Sequence, residues 1–401
     1  MMILFEKDED CCGCSACEAI CPKHNIKMIP NTDGGYHYPL YLGDENCINC
    51  NLCLEVCPLK KGNDMVKREK VYYAGTTKDR KLWEESTSGG AFSEICRLYQ
   101  DENPVIFGAR WDDEFNVVMD YVEGVENMAP FRRSKYVAAN PNMVFKHVKA
   151  FLNGNRTVIF SGTPCQIAGL KCFLKKDYEK LITIDFACHG QGAPHVFKAW
   201  IKHLENKYKL NLIKFLFREK KYIIDHVNSN CTGYVFADGK KVLVNRDYYH
   251  HAFVYGFHMR KSCADCKFSS HNDSDITLAD FKSPQRRKLL SHNQTGSDIV
   301  CNTPKGIEIG KQLVISMNVY AADYRQEILY NPKLVRSVFG NKDRDGFMQN
   351  FYSGVPIDAL IKKYAKITPI QWIDYNMPTS VNNVFVFLMR VCDFVKRKLK
   401  I

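Results

Sequence analysis

Long apolar segments are missing from this sequence. No hydrophobic run in its 401 residues approaches the length of a membrane-spanning helix, which argues against an integral membrane protein. Low-complexity tracts are missing too, and no recognition-helix or RNA-binding motif is visible, so nucleic acid is not an expected partner. The first residues, MMILFEKDEDCC, hold only five consecutive apolar residues before charges begin. We therefore expect no signal peptide and a reducing, cytoplasmic location.

Acidic residues are scarce in most of the chain. Residues 1–64 contain five Lys/Arg and ten Asp/Glu, whereas the whole chain carries a net charge of +12. The part after residue 64 is therefore strongly basic. A basic body suits phosphate-bearing cofactors, an acidic electron donor or an anionic membrane surface.

Cysteine, in contrast, is abundant and unevenly placed. Nine of the eighteen cysteines lie in the first 57 residues, in CCGCSACEAICP (11–22) and CINCNLCLEVCP (47–58). Both segments carry the pattern C-x2-C-x2-C-x3-C-P. Structural zinc sites use two CxxC pairs separated by a loop, whereas this pattern is typical of two 4Fe-4S clusters that exchange their fourth ligand. It predicts one cluster at Cys11, Cys14, Cys17 and Cys57, and a second at Cys47, Cys50, Cys53 and Cys21.

These two segments define the first predicted domain. Residues 1–64 resemble a bacterial-type two-cluster ferredoxin, and Cys12 lies outside the pattern and is expected to bind neither cluster. The insert between the cysteine segments is long and predicts a hairpin around residues 33–35. Residues 62–70 are polar and without periodicity, which indicates a linker.

The rest of the chain alternates between strand and helix patterns. Predicted strands such as VIFGAR and TVIFSG are followed by helical segments, and a β-rich stretch begins near residue 212. Residues 86–99 are predicted to form a helix capped by Ser or Thr at its start. The pattern indicates an α/β fold with α+β elements. We divide it into residues 71–152, 153–320 and a helical C-terminal extension at 321–401.

Four further cysteines lie in short motifs: Cys165 in GTPCQI, Cys188 in ACHG, and Cys263 and Cys266 in SCADC. Four thiolates converging from three loops could hold a third 4Fe-4S cluster. Other readings exist: Cys165 as a reactive thiol at a helix N-terminus, the CxxC as half a zinc site or a redox pair, and Cys188 as a core residue. Spacing alone leaves these alternatives open.

Six motifs, in order, resemble one known family. The resemblance is to the beta subunits of coenzyme F420-reducing hydrogenase and related F420-linked dehydrogenases, with a plant relative that reduces hydroxymethyl chlorophyll. It implies an FAD-containing iron–sulfur oxidoreductase, a mixed α/β flavin-binding body, and a third cluster at the four downstream cysteines. The motifs, spanning about residues 72–315, are STSGG (86–90), RRSKY (132–136), SGTPCQIAGLK (161–171), CHGQGAP (188–194), SCADCKF (262–268) and SDITLADF (274–281).

The resemblance also implies a set of flavin contacts. Hydroxyls, cations and glycines near a helix start could receive the FAD pyrophosphate, although a plain helix cap and a solvated basic turn are the simpler alternatives. No GxGxxG follows the first strand, so a Rossmann-type site is not expected. His189 could donate a hydrogen bond to a cluster or relay a proton. The predicted flavin contacts are Ser86, Ser88, Gly89, Gly90, Arg132, Ser134, Lys135, Tyr136, Thr163 and Pro164.

Together these features predict a converter between single electrons and hydride. Clusters carry one electron, flavin takes one or two, and a deazaflavin such as F420, or another organic acceptor, takes hydride. The expected partners are a redox protein or ferredoxin and a small-molecule hydride acceptor. Alternative functions are an electron-transfer subunit without its own substrate site, a redox sensor that has lost flavin, and a reductase in polysaccharide biosynthesis. No hydrogenase metal motif is present.

The last residues, 381–401, form a basic amphipathic pattern. Apolar residues recur near helical spacing, and Lys and Arg dominate the end of the segment. Weak contact with an anionic membrane surface is one reading, and a helix packed on the body with a basic tip is the preferred one.

Overall fold

The computed structural model of the chain describes residues 7, 10–60, 70–223, 226–269, 273–290, 294–338 and 340–365. Residues 61–69, at the predicted linker, and the amphipathic segment at 381–401 lie outside this description. Among the described residues, no helix is both long and apolar enough to cross a bilayer.

The N-terminal unit is small and is built around its two cysteine loops. Each loop runs into a one-turn helix, and the insert between them forms an antiparallel hairpin, as predicted. Its elements are α1 (Ala16–Ile20), β1 (Ile26–Pro30), β2 (His37–Tyr41) and α2 (Leu52–Glu55).

The body is organised around a mixed eight-stranded sheet. Its strand order is β13-β3-β12-β11-β7-β6-β4-β5, and the pairs β4/β6, β6/β7 and β7/β11 are parallel. The strands are β3 (Val71–Thr77), β4 (Val105–Trp111), β5 (Val117–Glu123), β6 (Val158–Ser161), β7 (Leu181–Phe186), β11 (Ile276–Asp280), β12 (Ser297–Cys301) and β13 (Met317–Ala321).

A second, antiparallel sheet has the order β10-β9-β8. It corresponds to the β-rich stretch expected from the sequence and comprises β8 (Leu212–Ile223), β9 (His226–Phe236) and β10 (Lys241–Val244). The helices of the body are α3 (Arg80–Glu85), α4 (Ala91–Arg97), α5 (Val144–Asn153), α6 (Pro164–Leu174), α7 (Pro194–Tyr208), α8 (Tyr248–Val254), α9 (Gln285–Leu289), α10 (Pro304–Gln312), α11 (Tyr324–Tyr330), α12 (Arg344–Tyr352) and α13 (Ile357–Ala365).

The mixed α/β fold class is confirmed, but one predicted helix was wrong at its start. The helix expected over residues 86–99 begins only at Ala91, and its cap is Gly90, whose φ is +87°. Residues 86–89 form a loop because the backbone must turn through this left-handed position. Strands from both 71–152 and 153–320 share the large sheet, so these two segments form one layered body. The domain limits themselves stay predictions.

The N-terminal unit packs directly on one face of the body. Ala16 and Ala19 of α1 lie in the same buried apolar cluster as Val148 of α5 and Leu170 of α6. The hairpin docks elsewhere on the body, where the Arg344 guanidinium bonds the Asp33 carboxylate at 2.8 Å. The insert thus fixes the cysteine loops against the body.

Candidate functional site

The two N-terminal cysteine loops share one backbone geometry. Gly13 and Asn49 occupy equivalent positions and both have positive φ, at +74° and +53°. Ser15 and Asn51, two residues further on, are also left-handed, with φ of +68° and +58°. Non-glycine residues in the left-handed conformation carry backbone strain. The same conformation at matching positions of two loops indicates that the loops are functional. Each loop thereby turns three cysteines towards a common centre.

Two separate hollows lie beside these loops, and each is lined by one of the predicted cysteine sets. Each hollow receives one cysteine from the other loop, which is the arrangement that the predicted exchange of the fourth ligand needs. The predicted ligands Cys11, Cys14, Cys17 and Cys57 line the first hollow, and Cys12 lies beside them. The second is lined by Cys21, Cys47, Cys50 and Cys53.

Backbone N–H groups donate to sulfurs in both hollows. The Gly13 amide lies 3.3 Å from Cys11 Sγ, and the Asn25 amide lies 3.3 Å from Cys21 Sγ. Such N–H···S contacts stabilise thiolate ligands and tune the reduction potential of a cluster. The residues present therefore fit two 4Fe-4S clusters.

The two hollows differ in their exposure to solvent. All four cysteines of the first hollow are buried, at no more than 8% exposure. In the second hollow Cys50 is exposed and Cys21 and Cys47 are partly exposed. The second hollow is thus the one that an external redox protein can approach.

The four downstream cysteines also come together. Burial raises the pKa of the Cys188 thiol well above its usual range, and the nearby thiols of Cys263, Cys165 and Cys266 raise it further. Burial and the Cys165 thiol likewise raise the pKa of Cys266 to about 11. Crowding of this kind arises because thiolates at short distance repel one another. A cluster that takes all four sulfurs as ligands would relieve it.

Other polar groups surround Cys165. Thr163 Oγ1 lies 3.1 Å from Cys165 Sγ, and the Gln191 amide nitrogen donates to the same sulfur at 3.8 Å. Among the described residues, no three His, Cys, Asp or Glu side chains converge tightly enough for a single metal ion. The corners of a cube keep its four ligand sulfurs further apart than one tetrahedral ion does.

A large pocket opens at the carboxyl ends of the parallel strands β6, β7 and β11, where ligands of open α/β sheets usually bind. Its lining includes eight of the ten predicted flavin contacts and also Cys188. Gly89 does not line it: a Cβ there would collide with the Gly75 carbonyl oxygen, so the glycine serves packing. Pro164 is outside the lining too, as the first residue of α6. The eight are Ser86, Ser88, Gly90, Arg132, Ser134, Lys135, Tyr136 and Thr163.

Several hydroxyls of the pocket wall already have partners. Ser86 Oγ donates to the Leu82 carbonyl at 2.7 Å, and Ser88 Oγ donates to the Gly296 carbonyl. These two side chains therefore hold the loop before α4 in place. Their hydroxyls are less available to a phosphate than the sequence implied.

Cations of the pocket fall into paired and unpaired groups. The Arg218 guanidinium bonds the Asp280 carboxylate at 2.9 Å. Burial alone would raise the pKa of Asp280, but Arg218 and Lys282 hold it at about 2, so this carboxylate stays ionised. Lys333 has no hydrogen-bond or ion-pair partner within the described part of the chain. Burial and the nearby Lys282 lower its pKa to about 8.

Lys135 is the deepest cation of the predicted set. Its ammonium donates to the carbonyls of Arg132, at 3.0 Å, and Arg133, at 3.3 Å. Burial, with a smaller effect from the Arg133 charge, lowers the pKa of Lys135 to about 7. Lys135 thus holds the turn that carries the other basic residues.

His189 lines the pocket next to Cys188. Its Nε2 lies 2.8 Å from the Val254 carbonyl oxygen, which can only accept, so Nε2 carries the proton. Nδ1 is then an acceptor, and it is buried without a partner in the described structure. A buried orphan acceptor on a pocket wall suits a ligand that brings an N–H or O–H donor.

Comparison with known proteins identifies two segments. Residues 155–325 match the sequence model for the C terminus of the coenzyme F420 hydrogenase/dehydrogenase beta subunit. This segment is therefore similar to that family. Residues 10–61 match the 4Fe-4S dicluster domain. The resemblance predicted from the motifs is confirmed, and the N-terminal unit is an iron–sulfur domain.

Individual proteins of known identity or structure resemble this chain only distantly. No curated protein matches the chain. A chain of the xenon-derivatised F420-reducing NiFe hydrogenase complex from Methanosarcina barkeri aligns with a TM-score of 0.46 and 13% identity. The alignment covers 73% of this chain and 96% of that chain. A similarity at this level carries no argument about the site.

The matched family segment contains all four downstream cysteines, while the STSGG and RRSKY motifs lie before it. Arg218 and Lys333 also line the pocket, and the sequence analysis did not predict either of them. Arg218 follows a register shift in β8 and has a φ of +59°, which turns its side chain out of the strand's regular alternation. No sequence pattern predicts a β-bulge of this kind.

Proposed function

We propose that this chain is an iron–sulfur flavoprotein oxidoreductase. It would pass electrons between 4Fe-4S clusters and FAD, and exchange hydride with a deazaflavin like F420 or another organic acceptor. One observation carries the proposal: Cys188 belongs to the downstream cysteine set and also lines the pocket. A flavin in that pocket would lie beside the third cluster, as electron transfer between them requires.

The chemistry of the pocket suits FAD. Apolar side chains such as Phe92 and Leu278 share the wall with Arg132, Lys135 and Arg218, so a flat ring system and an anionic pyrophosphate both find suitable groups. The orphan acceptor of His189 could receive a flavin N–H group. When bound, FAD supplies the interconversion between single-electron and hydride chemistry.

The positions of the three cysteine sets support a path for electrons between the surface and the interior. The exposed second hollow would meet the redox partner, and the buried first hollow would follow it. The downstream set lies next along the line, because Cys12, Cys14 of the first hollow and Cys165 of the downstream set pack in one buried cluster. The side chains that line each site would hold the cofactors at fixed positions.

Cofactor analysis tests the proposal. Full-length protein purified anaerobically should release FAD on acid treatment and contain about twelve iron atoms per chain if three cubes are present. Replacing the partly buried lysine, Lys135→Met, should weaken FAD binding roughly tenfold because the basic turn loses its internal hydrogen bonds. Lys214→Met on β8 is the matched control, since Lys214 is exposed and outside the pocket.

Three outcomes would count against the proposal. A chain that contains iron but neither retains nor binds FAD would be a pure electron carrier. A flavin-loaded chain that reduces neither F420 nor an artificial hydride acceptor would lack the proposed substrate exchange. Equal FAD loss in both lysine variants would show that the pocket is not the binding site.

A further inference from the structure

Arg260 occupies the junction between the N-terminal unit and the body. Its side chain is only 2% exposed. The guanidinium lies between two aromatic rings of the hairpin, with its carbon 4.9 Å from the ring centre of Tyr36 and 4.4 Å from that of Tyr38. Stacking of this kind holds a planar cation in one orientation.

The guanidinium also donates to both sides of the junction. Nη1 donates to the Cys11 carbonyl at 3.2 Å, and Nη2 donates to the His37 carbonyl at 3.1 Å. Nε donates to the side-chain oxygen of Gln191 at 2.8 Å. Gly13 makes room for this arrangement, since a Cβ there would lie 2.7 Å from Nη2.

Gln191 extends the contact to the downstream cysteines. Its side-chain nitrogen donates to the Cys12 carbonyl at 3.3 Å and to Cys165 Sγ at 3.8 Å. The pair Arg260–Gln191 therefore joins the first cysteine loop to the downstream set by a continuous chain of hydrogen bonds.

No carboxylate neutralises Arg260 within the described structure. Burial of a charge without a counter-ion is costly, so such a charge is normally compensated. The groups that lie close to Arg260 include the thiols of Cys11 and Cys263, one from each cysteine set. Clusters held by four thiolates are net negative, and a cluster at each set would supply the missing compensation.

We propose that Arg260, oriented by Gln191, is a positioning residue that fixes the first and third clusters relative to each other and raises the reduction potentials of both. A fixed positive charge stabilises the reduced, more negative form of a nearby cluster. For the third cluster this inference rests on the proposed function, whereas for the first cluster it needs only the iron–sulfur domain.

Arg344 provides a matched control at the same junction. It too is a largely buried arginine that joins the N-terminal unit to the body, through Asp33 at 2.8 Å. Its charge is paired with Asp33 and with Asp345, at 2.9 Å. Removing it breaks the junction without removing an unpaired charge.

The test is an anaerobic redox titration of the full-length, cluster-loaded chain, followed by EPR spectroscopy. Arg260→Gln should shift the midpoint potentials of the first and third clusters to more negative values. The second cluster, in the exposed hollow, should keep its potential, and Arg344→Gln should leave all three unchanged. Gln191→Glu should shift both potentials in the same direction, because it places a negative charge beside Arg260 and removes the donor to Cys165 Sγ.

Distinct results would overturn the inference. Unchanged midpoint potentials in both Arg260→Gln and Gln191→Glu would show that Arg260 is only a structural contact. An equal shift in the potentials of all three clusters, or the same shift in Arg344→Gln, would show this as well. If Arg260→Gln loses its iron, Arg260→Lys decides, since it keeps the charge but not the planar contacts of the guanidinium. Unchanged potentials would support the role of the charge, whereas shifted potentials or loss of iron in this variant too would show that Arg260 is only a structural contact. If no third cluster exists, the first cluster still reports on Arg260, so failure of the proposed function remains distinguishable.

Discussion

Gly169 of α6 lies directly against Cys14 of the first cysteine loop. A Cβ atom at residue 169 would lie 2.8 Å from Cys14 Sγ, closer than real side chains approach. The body helix and the ligand loop are therefore packed with no spare volume between them. This contact makes the first cluster site dependent on the body of the protein.

Gly169→Ala should therefore disturb the first cluster. The added methyl group must displace either α6 or the Cys14 sulfur, and the loop is the less extensively packed of the two. We expect loss of up to about four iron atoms per chain, measured by iron and sulfide analysis. Gly154→Ala is the control, because a Cβ there has its nearest neighbour at 3.4 Å. Full iron content in Gly169→Ala would contradict the packing argument.

The exchange of ligands between the two loops can be tested separately. Cys57→Ser should destroy the cluster held by its partners on the first loop, and Cys21→Ser should destroy the exposed cluster. EPR spectra of the reduced variants should each lose a different signal. If each variant instead lost the cluster of its own loop, the assignment of the fourth ligands would be reversed.

The cysteine spacing could be read from the sequence because ligand geometry is local. A run such as residues 11–22 supplies three ligands of one cluster from a single loop, so little knowledge of the remaining fold is needed. The downstream set was less certain, since Cys165, Cys188 and Cys263 come from separate loops. Their meeting depends on how the strands order themselves in the sheet.

Other features could not be predicted because they arise from docking. Arg260 lies beside the SCADC motif, but its role depends on the hairpin tyrosines more than two hundred residues earlier in the chain. Gly89 looked like part of a phosphate loop and is instead needed for close packing on Gly75. Sequence motifs reveal residue types, whereas these roles depend on tertiary neighbours.

The proposed third cluster can be tested by replacing one of its cysteines. Cys263→Ser should lose about four iron atoms and keep its fold, because the serine hydroxyl replaces a ligand on a short loop without opening the core. Cys172→Ser, a half-buried position outside the cysteine sets, should retain all iron. Iron analysis with circular dichroism measures both effects. Zinc in place of iron in anaerobically reconstituted protein would contradict the third cluster and would favour a zinc site at the CxxC motif.

A buried acidic pair predicts a loss of stability as the pH rises from about 4 to about 9. Asp298 of β12 and Glu327 of α11 are each only 2% exposed. Burial, together with the charges of Glu327 and Asp280, raises the pKa of Asp298 to about 9. Asp298 is therefore protonated in the folded chain at neutral pH, whereas in the unfolded chain it ionises near pH 4. Folding is favoured most below pH 4, and this contribution is lost as the pH rises towards 9.

Asp298→Asn should remove this dependence, because the amide has nearly the same shape and does not titrate. The Tm difference between the variant and the natural sequence should grow by a few degrees between pH 5 and pH 8. Glu308→Gln is the control, since Glu308 is exposed on α10 and its removal should give a pH-independent difference. Thermal unfolding followed by circular dichroism at several pH values measures both. A constant Tm difference for Asp298→Asn would mean that Asp298 is already ionised in the folded protein at neutral pH.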